Sequence, residues 1–442
     1  MKPRYFAMLR EVQGFITMIL LKPIVTFRLI TWGRVKNVYK VVFLRQGNLG
    51  LLLQRYKSIY NVNTTALDAE VFSPGAYVGD IVLFPAIDWD FRFQRPQHLA
   101  LQLAARGYRV FYVSTVPMLI FGSRGYIVQS NPVKGVVLVQ LSSGKLRIPD
   151  FYKENLTADE VAGFLKAYVA LCANFEIVSP TILIQHPFWW SLVSCLNRSG
   201  LVYDCLDHHA GFHDESNLDL LEHEKQLVNT ADVVVFTSSV LADSFQWPRN
   251  CRVIRNGCGF DLFNQANRVK NQSGGPIIGY VGAVSSWFDG ELLFNVARER
   301  PDWRFDIYGA IVDADISLAR TLSNVNFFGE IEYETVPYAI AHFDVCIIPF
   351  KLNPLTLATN PVKIYEYLAV GRPVVSTVLP ELAELEGVDI FCSDSFKNFT
   401  LAIERAILLS DEPERIAARK DWASHNDWSM RIKDLVEAMD LK

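Results

Sequence analysis

The chain has 442 residues, half of them hydrophobic and a fifth charged, which excludes an intrinsically disordered chain and leaves room for two or three domains. The net charge of −4 conceals an asymmetry: residues 1–60 hold eleven Lys and Arg against one acid, Glu11, so this arm carries +10 and the remainder −14. The seven cysteines are scattered and never form a C-x-x-C pair, which argues against a disulfide framework or a zinc site and predicts a reducing cytosolic compartment.

The basic arm comes first. It contains the apolar run Phe15–Leu21, then Lys22-Pro23, then Ile24–Phe27. Seven residues fall short of the roughly 20 needed to cross a hydrocarbon core. No small-residue cleavage site follows, so a signal peptide fits poorly. The pattern predicts one or two interfacial helices, with Lys and Arg on lipid phosphates and Leu, Ile and Phe in the acyl boundary. A helical hairpin packed on the main body is the alternative. No nucleic-acid-binding motif accompanies the charge, so nucleic acid is not an expected partner.

Beyond the arm the pattern becomes α/β. Residues 80–87 read as a buried strand, 95–106 as a helix with Pro96 near its first turn, and 109–114 as the next strand, a βαβ unit. Apolar strands follow at 136–141, 181–185, 201–205, 232–237 and 251–254. Residues 264–276 are a turn-rich linker, after which the pattern restarts. Strands are expected at 277–281, 303–308, 325–328, 344–350 and 373–377, with helices at 289–300, 333–342, 361–369 and 429–440. Two doubly wound α/β domains place a ligand site in the cleft between them, beyond the carboxyl ends of the strands.

Four segments carry a resemblance. They are Trp89 to Ala100 (WDFRFQRPQHLA), Arg255-Asn256-Gly257, Gly279 to Ala283 with Trp287-Phe288-Asp289, and Pro361 to Ala369 running into Gly371-Arg372-Pro373-Val374-Val375. In this order they resemble bacterial GT-B glycosyltransferases related to the family-4, or group 1, enzymes of cell-surface polysaccharide synthesis. The likeness covers about residues 78–435 and leaves the arm outside it. It implies two Rossmann-like domains facing a cleft and a nucleotide-diphosphate sugar as donor substrate, with no further cofactor and no metal.

In the donor half, Asn360 is placed to cap a helix and Pro361 to open it, while Gly371 and Pro373 end it. The start of that helix suits a diphosphate, and Lys363 adds a full positive charge there. Glu366 lies three residues on, on the same face, where a carboxylate can accept the ribose hydroxyls. A capped core helix with a surface ion pair is the plainer alternative. Thr359 and Asn360 offer neutral hydrogen bonds, and the loop Gly282 to Ser286 offers N–H groups and the Ser285 hydroxyl. The resemblance also implies that the Gly329-Glu330 turn holds the base. Two features depart from the family. Retaining relatives carry a Glu eight positions before the ribose Glu, where this chain has Ala358. Their Arg and Lys after the first C-terminal strand are replaced here by Ser285, Ser286, Trp287 and Asp289.

In the acceptor half, Arg92 and Arg95 are candidates to hold a phosphate of the donor or of a polyprenyl-diphosphate acceptor. Asp88-Trp89-Asp90 has a D-x-D spacing, but its early position and the second α/β half count against a metal. Asp207 is the expected base for an inverting transfer, with His186 and Asp88 next. His208 is a candidate acceptor contact, and Asp204 is expected to point inward. Phe188-Trp189-Trp190 reads as core more readily than as a sugar platform.

The expected organisation is an N-terminal extension over 1–70, an acceptor domain over 71–264, a nucleotide-sugar domain over 276–420, and a helix over 421–442 crossing back to the first domain. The expected function is transfer of a sugar to a glycan or lipid-linked acceptor, by an enzyme held on the cytoplasmic face of the cell membrane through residues 1–60. A GT-B-like nucleotide-sugar epimerase and a non-catalytic GT-B scaffold are the alternatives.

Overall fold

The computed structural model describes residues 77–118, 125–145, 147–211, 218–269, 274–383, 385 and 388–440. The basic arm, with the interfacial helices expected there, and Phe212 and His213 lie outside the described residues.

Two sheets organise the chain. The first has eight strands in the order β3-β4-β2-β1-β5-β6-β7-β8. They are β1 Asp80–Phe84, β2 Arg109–Val113, β3 Tyr126–Val133, β4 Val136–Leu141, β5 Thr181–Ile184, β6 Gly200–Cys205, β7 Val233–Phe236 and β8 Cys251–Val253. All pairings are parallel except β3 against β4. The central strands read as unbroken apolar runs because both faces of a parallel sheet are covered. In β1, Ile81 and Leu83 face one core cluster while Val82 and Phe84 face another.

The second sheet has six strands in the order β11-β10-β9-β12-β13-β14, all parallel. They are β9 Ile277–Val281, β10 Arg304–Tyr308, β11 Val325–Gly329, β12 Val345–Ile348, β13 Val374–Thr377 and β14 Ile390–Ser393. One continuous cluster around Ile278, Tyr280, Phe305, Ile347 and Val375 forms its core.

Helices cover the faces. Helix α1, Arg95–Ala105, crosses from β1 to β2. Helix α2, Ala158–Asn174, opens on a capping box in which Thr157 Oγ1 accepts the Glu160 N–H and the Glu160 carboxylate accepts the Thr157 N–H. Helix α3 is Leu218–Thr230 and α4 is Gly290–Glu299. Helix α5, Val362–Ala369, lies between β12 and β13, and α6, Trp428–Asp440, is the last element. Trp428, Ile432 and Leu435 of α6 are buried in a cluster with Ile81, Leu99 and Val110, so the chain ends packed on the first sheet. The outward and return crossings lie side by side: Cys258 pairs with Asp427, and the Trp428 N–H donates to Cys258 O at 3.1 Å. Among the described residues no helix is long and apolar enough to cross a membrane.

Candidate active site

The order of the second sheet reverses between β9 and β12. Connections leave these neighbouring strands in opposite directions, which opens a crevice at their carboxyl ends. Gly282 follows β9, and Phe350 lies two residues beyond β12. Lys363 stands between them. Its ammonium lies 5.4 Å from the Tyr280 ring centre and 5.7 Å from that of Phe350. A Cβ at Gly282 would fall 2.2 Å from Lys363 Cε and 2.5 Å from Nζ, so the absence of a side chain there makes room for the lysine head. Gly282 also has φ +150°, a conformation side chains rarely adopt.

Glu366 is three residues further along α5 and nine-tenths buried. Burial pushes its pKa up to about 7, while Lys363 and a hydrogen bond from Tyr333 pull it down. Burial lowers Lys363 to about 8, opposed by Glu366 and reinforced by Arg92. A cation and a carboxylate thus share one helix face at the switch point of the sheet.

Asn360 is not the cap of this helix. The helix begins at Val362, and no side chain caps it. Asn360 instead bridges the two halves. Its Oδ1 accepts the Asn256 N–H at 2.9 Å and the Tyr365 hydroxyl at 3.0 Å, and its Nδ2 donates to Glu381 at 3.1 Å. Two other expected donor contacts are occupied internally. Ser285 is buried with its hydroxyl on Asp313 at 2.5 Å, and Thr359 donates to Leu355 O at 2.7 Å. Glu330, after β11, accepts Arg92 Nε at 2.6 Å in an ion pair joining the two halves.

The first sheet also reverses, between β1 and β5. The loop after β1 is fixed from beneath by Gln97, whose Nε2 reaches the carbonyls of Asp88, Trp89 and Arg92 at 3.2, 3.0 and 2.7 Å. This leaves Arg92 partly exposed, facing the second half, and pairs Asp88 with Ser114 Oγ at 2.5 Å.

Arg95 is removed from the expected phosphate site. It is 3% exposed and grips wholly buried Asp204 through Nε at 3.1 and 3.0 Å and Nη2 at 2.8 Å. Its Nη1 donates to Arg255 O and Asn256 Oδ1. A guanidinium without water and with its fork filled by a carboxylate is a structural element.

His186 is likewise interior. Its ring is wholly buried, Nδ1 accepts the Phe188 N–H, and Tyr152 and His209 pack on it with ring centres at 4.8 and 4.6 Å. It presents nothing to the cleft, and burial holds its pKa well below the ordinary histidine value. Phe188, Trp189 and Trp190 are buried core.

Asp207 follows β6 and is partly exposed. Burial pushes its pKa up to about 6. The neighbouring His208 is also partly exposed, with Nδ1 unpartnered among the described residues. Their loop meets the segment before α5. A Cβ on Gly211 would lie 3.0 Å from Leu355 Cβ, and nearby Ser238 Oγ donates to Ala358 O at 2.6 Å. Ala358, where retaining relatives carry Glu, is 2% exposed and packs into the core of the first half. Asp207 and the entry to α5 therefore belong to one composite region.

Sequence reading missed several residues that build this region. Gln97 and Tyr333 are in quoted or adjacent segments but give no distinguishing pattern. Glu381 accepts the Ser239 N–H, Arg255 Nε and Asn360 Nδ2, and so joins elements more than a hundred residues apart. No local spacing encodes such a contact.

With this geometry in hand, comparison with known proteins is informative. Residues 275–408, which contain the second sheet, match the family described as glycosyl transferases group 1. A putative teichuronic acid biosynthesis glycosyltransferase, TuaH of Bacillus subtilis, is 24% identical over 271 residues, covering 56% of this chain and 68% of that protein. The fold is similar to that of a sucrose-phosphate synthase from Thermosynechococcus elongatus, with TM-score 0.64 and 18% identity over 82% of this chain and 98% of the other. It is also similar to Anabaena HepE in complex with UDP and glucose, with TM-score 0.55 and 17% identity over 82% and 99%. The match over the second sheet, joined to the two-sheet architecture, gives a glycosyltransferase of the GT-B fold whose residues 275–408 are similar to the group 1 enzymes.

Proposed function

We propose that the enzyme transfers a sugar from a nucleotide-diphosphate donor to a glycan or polyprenyl-diphosphate-linked acceptor in cell-surface polysaccharide synthesis. The observation that carries the donor assignment is Lys363 seated over Gly282 at the switch point of the second sheet. In this reading Lys363 neutralises the diphosphate, and Glu366 accepts the ribose hydroxyls one turn later. Arg92 adds a second cation from the facing half once it leaves Glu330. Asp207 takes the proton of the acceptor hydroxyl as its oxygen bonds to the anomeric carbon. The bond from that carbon to the diphosphate breaks, and its electron pair leaves with the nucleotide. A carboxylate raised to about 6 is ionised at neutral pH yet basic enough to receive that proton.

The relative TuaH supports the polysaccharide assignment, and the +10 arm supports a lipid-borne acceptor at an anionic membrane surface. The epimerase and scaffold readings gain no specific observation. The donor reading is tested by calorimetric titration with UDP, GDP, ADP and dTDP against wild type, Lys363→Ala and Glu366→Ala. A charged hydrogen bond contributes about 1.5–3 kcal/mol, so each variant should weaken the best ligand about tenfold or more. Unchanged affinity in both variants would remove the assignment. Flotation of the full chain with anionic liposomes tests the membrane reading, which fails when the protein stays at the bottom of the gradient.

A further inference from the structure

Helix α5, which carries Lys363 and Glu366, has no side-chain cap, and its entry is held from outside. Pro361 precedes it at φ −71°, and the fixed ring passes the placement of Asn360 on to the first turn. Asn360 is joined to Asn256, which follows β8, by a reciprocal pair of hydrogen bonds between the halves. The Asn256 N–H donates to Asn360 Oδ1 at 2.9 Å, and Asn256 Nδ2 donates to Asn360 O at 2.7 Å. Both residues are buried. From within α5, the Tyr365 hydroxyl donates to the same Asn360 Oδ1, and the Tyr365 ring stacks on Trp422 at 5.5 Å between ring centres.

Every polar group of Asn256 is engaged. Its Oδ1 accepts Arg95 Nη1 at 3.3 Å from α1, and its carbonyl accepts Arg431 Nε at 2.9 Å from α6. The next residue, Gly257, lies against the return crossing, where a Cβ would fall 2.7 Å from Asn426 O and 3.2 Å from Trp428 N. Asn256 is thus fixed by the first half and by the helix packed on it. It gives both of its own donors to Asn360, the residue three positions before Lys363.

We propose that Asn256 is a positioning residue for donor binding: from the first half it fixes the segment that enters α5, and so aims the Lys363 ammonium at the diphosphate. The proposal rests on the diphosphate role of Lys363. Two donors on one residue, one to its side chain and one to its main chain, set that residue's direction as well as its place. Direction matters because the lysine head has little room. It passes over Gly282, where even a methyl would fall 2.2 Å from Lys363 Cε. A small turn of the Asn360–Pro361 segment therefore moves the ammonium off the switch point. The donor site of the second half is in this way completed by the first, and a nucleoside diphosphate is held tightly when the acceptor side is already docked beside it.

The test is calorimetric affinity for the tightest-binding of UDP, GDP, ADP and dTDP, measured on the full chain well below the melting transition of each variant. Asn256→Ala removes the side-chain bond to Asn360 and should weaken binding about tenfold. Asn256→Asp keeps an oxygen for Arg95 and sets an acceptor where Nδ2 donated to Asn360 O, so it should weaken binding by at least as much. With its own Lys363 cycle it carries the test should the alanine variant not fold. In the Lys363→Ala background either change should cost almost nothing further, because the group they aim is gone. If both Asn256 variants bind as wild type while Lys363→Ala weakens, the positioning role is overturned and the diphosphate reading survives. Equal losses with and without Lys363 mean that the joint acts on the fold at large, and these overturn the role as well. Loss in only one of two folded variants also overturns it: in alanine alone it traces to the Arg95 contact, in aspartate alone to the introduced charge. If Lys363→Ala itself binds as wild type, the diphosphate reading falls and takes the proposal with it.

Discussion

Replacing Gly282 with alanine tests the site through a residue that itself carries no charge. The new methyl would sit 2.2 Å from Lys363 Cε and 2.5 Å from Nζ, closer than carbon atoms approach. The atoms it meets are the far end of a flexible side chain, so the collision is relieved by swinging the ammonium away and costs the fold little. What remains for stability is the backbone strain of alanine at φ +150°, of order 1–3 kcal/mol. The functional cost is the displaced cation. If Lys363 gives the diphosphate one charge-assisted bond of about 1.5–3 kcal/mol, Gly282→Ala should weaken nucleoside diphosphate binding roughly 10- to 100-fold. Calorimetric titration reads that loss, and thermal melting separates it from unfolding. The route of the effect is open to a double-mutant cycle. Because Gly282 acts by making room for Lys363, Gly282→Ala should add almost nothing to Lys363→Ala. Full, additive losses from the two changes would refute the mechanism. Unchanged affinity in Gly282→Ala would move the diphosphate away from the switch point altogether.

Three further outcomes follow from the same geometry. Donor affinity should peak between about pH 7 and 8: below it Glu366 gains a proton and ceases to accept from ribose, and above it Lys363 loses one and ceases to neutralise phosphate; a flat profile from calorimetry would contradict both assignments. Asp207→Asn should abolish transfer while leaving diphosphate affinity within about twofold, and the acid limb of wild-type turnover should fall near pH 6; near-normal turnover by the variant would place the base elsewhere. Arg95→Ala leaves a buried carboxylate unpaired and should cost about 3–5 kcal/mol in denaturant unfolding, largely recovered by Arg95→Met with Asp204→Leu; a fully stable Arg95→Ala with weakened phosphate binding would return Arg95 to the site.

The sheet framework was legible because parallel strands buried on both faces are uninterrupted apolar runs, as at Val136–Leu141 or Ile277–Val281. Two strands escaped notice for the opposite reason. Strand β3 is an edge strand broken by Ser130, Asn131 and Pro132, and β14 is four residues long and only partly covered. The Lys363–Glu366 pair was legible from helical spacing, which is local. Arg95 was misread because a run rich in Arg shows charge without showing its partner, and Asp204 lies 109 residues away. Asn360 was misread for the same reason: asparagine before proline has the form of a helix start, and its use across the halves depends on Asn256 and Glu381. Aspartate and arginine in a loop say that chemistry is available there. Which of them faces water is decided by tertiary contacts that no spacing rule carries.

That distinction also bears on Ala358. At the sequence level, loss of the retaining enzymes' glutamate reads as loss of function and favours a scaffold. Spatially, position 358 is a buried joint whose carbonyl is held by Ser238 and whose methyl lies in the core of the opposite half. A glutamate inserted there would bury a carboxylate among apolar side chains, at a cost that burial of an unpaired charge makes prohibitive. In this chain the segment is a place where the halves are joined. Asp207, the base we propose, lies on the other side of the joint, and burial raises its pKa to about 6. An inverting enzyme requires its base on the acceptor side of the sugar, and the loop after β6 belongs to the first half. The substitution that separates the proposed base from the joint is Asp207→Asn, which leaves the contacts of Ala358 intact.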